Sequence, residues 1–157
     1  MALSPIIRAF LHSFVLKTGD RPSPWCLPAF PQATFAFTPG GGGAHSYRFF
    51  EAMAAGAIPV VTDDLILPFD DPSMLSLGSK ANFPLQLRIS QLWGECAVVV
   101  VQSDIVWLPS ILAGMSDECV DRRQRACHEL FESSFDSLDK VFVTMVLLLR
   151  ERARAQG

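Results

Sequence analysis

The chain has little of what marks several functional classes. Only 18% of its 157 residues are charged, the balance is a net −3, and the sequence pI is about 5.5. The basic surface that neutralises nucleic acid phosphates is therefore missing, and no nucleic acid partner is expected. The four cysteines, Cys26, Cys96, Cys119 and Cys127, form no C-x-x-C pair and recruit no histidine at ligand spacing, so a zinc site is not expected. Placed on one helix, Cys119 and Cys127 stand about 12 Å apart, beyond the roughly 7 Å that a disulfide spans. The redox compartment stays open on these grounds. No apolar run reaches the roughly 20 residues of a membrane-spanning helix. The N-terminal ALSPIIRAFLHSFVL is broken by Pro5, Arg8 and His12, and the C-terminal VFVTMVLLL stops at RERAR. Neither reads as a transmembrane or secretory signal segment.

What the chain does have is apolar surface. Half of its residues are hydrophobic and its mean hydropathy is +0.29, a composition that suits strands buried on both faces and excludes global disorder. Its length fits one domain able to bury a core without metals or disulfides.

Residues 1–32 read as an amphipathic segment followed by a connector, GDRPSPWCLPAFPQ, whose four prolines exclude regular helix and central strand. From residue 33 the pattern becomes regular. ATFAFTP (33–39) predicts a strand, SYRFFEAMAA (46–55) a helix and AIPVVTD (57–63) a second strand, with Pro59 tolerable only near a strand start. This is a βαβ unit, which implies parallel strands and a right-handed crossover. ECAVVVVQ (95–102) predicts a third strand covered on both faces. Helices are expected over 105–115, 117–133 and 135–152, the last with Phe135, Leu138, Phe142, Met145 and Leu149 along one packed stripe. The fold class is α/β, a Rossmann-like parallel sheet with flanking helices.

In such a sheet a ligand binds beyond the carboxyl ends of the strands. Those ends carry the run PGGGGAHSYR (39–48), the loop from Thr62 to Phe69, and Gln102 to Asp104. Residues without Cβ let backbone amides approach a phosphate closely, and the helix that follows adds partial positive charge. The loop lacks the Lys-Ser/Thr of a P-loop, and His45 stands where a dinucleotide fingerprint needs its last glycine. Ser46 is a candidate helix cap, which puts Arg48 in a first turn where the helix dipole disfavours a cation unless an anion is bound. Glu51 lies on the same face. Arg48 and Glu51 together therefore read either as a diphosphate and ribose site or as an exposed ion pair at helical spacing. Phe49, Phe50 and Met53 read as core, and Gly56 as the helix C-cap.

The string FAFTPGGGGAHSYRFFEAMAAGAIPVVTDDLILPF resembles the signature of the exostosin family of glycosyltransferases. Pro39, Ser46, Arg48, Glu51, Ala52, Gly56, Pro59, Val60, Leu67, Pro68 and Phe69 match its anchors in order, and Trp93, Asp104, Leu108 and Pro109 match further on. The resemblance runs from residue 33 to about 150. It implies the C-terminal, donor-binding half of a GT-B architecture, with residues 33–157 forming a nucleotide-sugar-binding domain. By resemblance Gly41, Gly42, Gly43, His45, Ser46 and Arg48 would face the diphosphate of a nucleotide sugar, a UDP-linked one by family habit, and Glu51 the ribose. Asp63 and Asp64 are further candidate contacts from the second strand. The family implies an inverting, metal-independent transfer to a glycan acceptor in the Golgi, with no cofactor beyond the donor; no D-x-D occurs here.

The sequence departs from the family in two places. The 23 residues between Phe69 and Trp93 exceed the family's usual link, and the 32 residues before the motif are too few for the N-terminal domain that supplies the acceptor side. The expectation is a fragment or a stand-alone donor-binding domain, with an exposed apolar surface that favours self-association. A non-catalytic nucleotide-binding or interaction module paired with another chain is the alternative.

Overall fold

The computed structural model describes residues 33–38, 48–70 and 83–156. The N-terminal segment and connector, the glycine loop with Ser46, and residues 71–82 of the long link lie outside the described residues. Three parallel strands, β1 (Phe35–Phe37), β2 (Ile58–Thr62) and β3 (Val98–Val100), form a sheet in that order. Phe35 stands opposite Ile58, and Val60 opposite Val98. Helix α1 (Arg48–Ala54) follows β1, and α2 (Pro84–Cys96) lies between β2 and β3. A 3-10 helix (Gln102–Trp107) then leads into α3 (Leu108–Ala113), α4 (Asp117–Ser134) and α5 (Leu138–Gln156). The α/β class and the βαβ unit expected from the sequence are both present.

β2 is the middle strand and is buried along its whole length, as its sequence IPVVT allows. Its proline is accommodated by the alternation of the ladder. Ile58 donates to Thr34 O at 2.9 Å and Val60 O accepts from Thr38 N at 2.8 Å, so these residues bond towards β1. Pro59 therefore turns towards β3, whose pairing begins only at Val60, and its missing N–H costs no ladder bond. Ahead of β2, α1 ends at Gly56, where φ is +78°. Gly56 donates to Met53 O and Ala57 to Ala52 O, the paired bonds of a Schellman C-cap, which needs the left-handed conformation glycine adopts without strain.

The core lies where α1, α2 and α4 meet the sheet. Phe49, Ile58, Val60, Ile89, Trp93, Leu108 and Leu130 are buried there, each worth about 1.5–3 kcal/mol of transfer free energy. α4 starts from the Ser116 cap, whose hydroxyl accepts from Cys119 N at 3.3 Å, with Asp117 and Glu118 favourably placed in its first turn. It then ties several elements together. Gln124 donates to Gly56 O at 3.2 Å, Arg123 donates to the carbonyls of Glu95, Cys96 and Ala97 at 3.1, 3.4 and 2.8 Å, and Cys127 is disulfide-bonded to Cys96.

Several expectations are corrected. The run 95–102 is not strand throughout: α2 extends to Cys96, and β3 spans only Val98–Val100. Nor is that strand covered on both faces, because its Val99 is 56% exposed. Within the link between Phe69 and Trp93, α2 begins at Pro84, a residue suited to a helix start. Finally, the stripe from Leu138 to Leu149 faces outward, with Leu138 71% exposed, although Phe135 at its head is buried. Between Val141 and Leu149 α5 is apolar nearly all round, so periodicity did not single out its buried face. That face is Val141, Thr144, Leu148 and Glu151. The helix expected over 105–115 is a 3-10 turn followed by α3.

Candidate functional site

The carboxyl ends of β2 and β3 are joined through side chains rather than by ladder bonds alone. Asp63 donates its N–H to Val100 O at 3.1 Å, and its carboxylate accepts the N–H of Gln102 at 3.1 Å, where the 3-10 helix begins. Asp64 is exposed beside it. Hydrogen bonds from Thr62 and then Gln102 hold the Asp64 carboxyl below the usual aspartate range. Ser103 donates to Asp104 at 3.3 Å. Two neighbouring carboxylates thus stand at the strand ends, Asp63 engaged in holding two loops and Asp64 turned to solvent. Among the described residues no three His, Cys, Asp or Glu side chains gather as metal ligands.

The loop that leaves β2 is fixed by α2, one carbonyl or carboxylate at a time. Trp93 Nε1 donates to Pro68 O at 2.8 Å, Gln86 Nε2 to Phe69 O at 2.7 Å, and Ser90 Oγ to Asp70 Oδ1 at 2.6 Å. Phe69 has φ of +59°, unusual for a residue with a Cβ and tolerated only where surroundings enforce it. Its ring stacks on Phe135 at 5.4 Å, and Phe135 also meets Phe50 and Trp93 at 5.1 and 6.0 Å. The Pro68–Asp70 segment is therefore a wall after β2, held by four side chains, Trp93, Gln86, Ser90 and Phe135. Gln86 and Ser90 were not among the sequence candidates. The signal for them was positional, since polar residues on the buried face of an amphipathic helix need partners.

α1 places Arg48 and Glu51 on one face, immediately after the glycine segment. Arg48 Nη1 and Glu51 Oε2 are 2.8 Å apart, with the side chains 48% and 36% exposed. The ion pair expected as the plainer reading is present, at a site exposed enough that it adds little stability. Of the sequence candidates, the described residues include Arg48, Glu51, Asp63 and Asp64; Gly41, Gly42, Gly43, His45 and Ser46 lie outside them. Arg48 and Glu51 stand together on α1, while Asp63 and Asp64 stand together after β2.

By sequence, the chain aligns with exostosins and with plant glucuronosyltransferases. Exostosin-1 of Drosophila melanogaster is 27% identical over 121 residues, covering 76% of this chain and 14% of that protein. A probable glucuronosyltransferase of Oryza sativa subsp. japonica is 35% identical over 95 residues, covering 60% of this chain and 18% of that protein. Exostosin-1 of Mus musculus is 25% identical over 120 residues, 76% of this chain. The chain resembles the exostosin family. It spans less than a fifth of these relatives' length, and no family model matches it. No helix among the described residues is long and apolar enough to cross a membrane.

Proposed function

We propose that the chain is the donor-binding part of an exostosin-type glycosyltransferase, with the architecture of a GT-B C-terminal domain. It takes a nucleotide sugar, UDP-linked, whose sugar passes to a glycan acceptor. The observation that carries this reading is the order of the parts along the chain: β1, the glycine segment, then α1 opening with Arg48 and Glu51. Glycine amides and a guanidinium suit a diphosphate, and a carboxylate suits a ribose diol. For the ligand to engage both, the Arg48–Glu51 contact has to open, which costs little at so exposed a pair. Gly41, Gly42, Gly43, His45 and Ser46 complete the proposed diphosphate contact, while Asp64, ionised and turned to solvent, is available to the ribose or sugar. Asp63 serves by holding the strand-end loops. The names of the relatives, exostosin and glucuronosyltransferase, support glycosyl transfer. The Cys96–Cys127 disulfide supports an oxidising compartment such as the Golgi lumen.

The Arg48–Glu51 ion pair favours a second reading, in which both residues only stabilise α1 and the domain is an interaction module. Calorimetric titration with UDP at low salt separates the two. Binding that Arg48→Ala loses supports the donor site. No heat and no thermal shift with millimolar UDP, in a chain shown to be folded, overturns it.

A further inference from the structure

The loop that leaves β2 ends in a turn whose backbone runs against its own sequence. Asp70 N–H donates to Leu67 O at 3.1 Å, closing a β-turn with Pro68 and Phe69 at its centre. Proline fixes a negative φ at Pro68, while Phe69 has φ of +59°. That combination is a type II turn, whose third position ordinarily holds glycine because a Cβ is strained there. A type I turn closes the same hydrogen bond with Phe69 at negative φ, and the two forms differ chiefly in which way the Pro68–Phe69 peptide faces. Nothing in the Pro-Phe pair selects type II.

α2 makes the selection. Trp93 Nε1 donates to Pro68 O at 2.8 Å, and this is the carbonyl that a peptide flip would turn away. Gln86, 3% exposed, donates to Phe69 O at 2.7 Å and keeps the turn against α2, as does Ser90 through Asp70 at 2.6 Å. The other end of the loop is held as well. Asp63 donates to Val100 O and accepts from Gln102 N, and Leu65 donates to Thr62 O at 3.1 Å. Asp64 therefore lies on a span fixed at both ends. Strain that surroundings maintain against local preference belongs to binding sites, and an α/β sheet receives its ligand beyond the carboxyl ends of its strands. We propose that Trp93 is a positioning residue of the donor site: it holds the Pro68–Phe69 peptide in its flipped orientation and so fixes the loop that presents Asp64. The inference rests on the donor-site reading given above.

NMR and UDP titration of the full chain test it together. The wild type is expected to show the strong Pro68 Hα to Phe69 N–H Overhauser contact of a type II turn, and to bind UDP. Trp93→Phe is expected to weaken that contact and to lower the affinity about three- to tenfold. Adding Phe69→Gly to Trp93→Phe is expected to recover both, since glycine keeps a positive φ unaided. A purely structural role predicts the opposite, because the double variant has lost a second ring from the aromatic group. Should Trp93→Phe fail to fold, Phe69→Gly and Phe69→Ala decide with the tryptophan intact: both lack the ring, and the alanine form is expected to bind UDP more weakly. Trp93→Phe as tight as the wild type, or Phe69→Ala as tight as Phe69→Gly, overturns the positioning role and leaves the donor site standing. A folded wild type without the Overhauser contact also overturns the proposal. A folded wild type that shows the contact and binds no UDP overturns the donor reading, and this role falls with it.

Discussion

Glu151, near the end of α5, accepts the backbone N–H of Leu85 at 2.8 Å, and its other oxygen accepts that of Gln86 at 3.2 Å. The first turn of α2 has no cap of its own, because Phe83 stands at the cap position. A carboxylate from more than sixty residues away supplies what a Ser or Asp usually would, with the added benefit of negative charge at a helix N-terminus. Glu151→Ala is expected to cost about 1–2 kcal/mol in urea unfolding, and Glu151→Gln about half of that, since the amide oxygen accepts only one of the two bonds and carries no charge.

Phe135 sits between Phe50, Phe69 and Trp93, and so joins α1, the loop after β2 and α2 in one aromatic group. Phe135→Ala removes all three contacts at once. The expected loss is about 3–5 kcal/mol. Tryptophan fluorescence of Trp93 gives a readout local to the cavity, and Phe135→Leu should recover most of the loss.

The Cys96–Cys127 disulfide closes a loop with a sequence separation of 31. Chain-entropy reasoning gives about 3–4 kcal/mol for a loop of that size. Reduction, or Cys127→Ser, is expected to lower the unfolding midpoint accordingly. Peptide mapping without reduction should recover the two cysteine peptides joined.

Asp64 has a depressed pKa, first through Thr62 and then through Gln102. Its ionised form is favoured by folding, so its contribution is present above the unfolded value of about 4 and is lost as pH falls through the lower folded value. Thr62→Val is expected to return the Asp64 carboxyl towards the ordinary range in an NMR titration. An unchanged titration would remove Thr62 as the cause.

The sequence made the βαβ unit legible because its signals were local: a β-branched run for β2, a glycine where α1 must turn with positive φ, an apolar face on α1. It mis-stated β3 because Glu95 and Cys96 precede a valine run that resembles one long strand, while the start of α2 depends on Pro84 and a distant Glu151. The face of α5 was misjudged for a related reason. In a helix apolar nearly all round, contact with α2 and α4 decides which side is buried, and a 3.6-residue period cannot carry that choice. The disulfide was missed because cysteine spacing speaks only about neighbours on one element, and Cys96 and Cys127 meet across two. At the candidate site, the sequence identified Arg48 and Glu51 as a pair; the wall built by Gln86, Ser90 and Trp93 depends on which face of α2 meets the loop.

The bond between Cys96 and Cys127 also governs how the chain answers a protease. Between these residues lie β3, the 3-10 helix, α3 and the start of α4, with Val106 and Trp107 exposed in the 3-10 helix. A single cut anywhere in that stretch leaves two pieces covalently joined. The nicked molecule keeps its mass on a non-reducing gel, and only a reductant reveals that the chain has been cut.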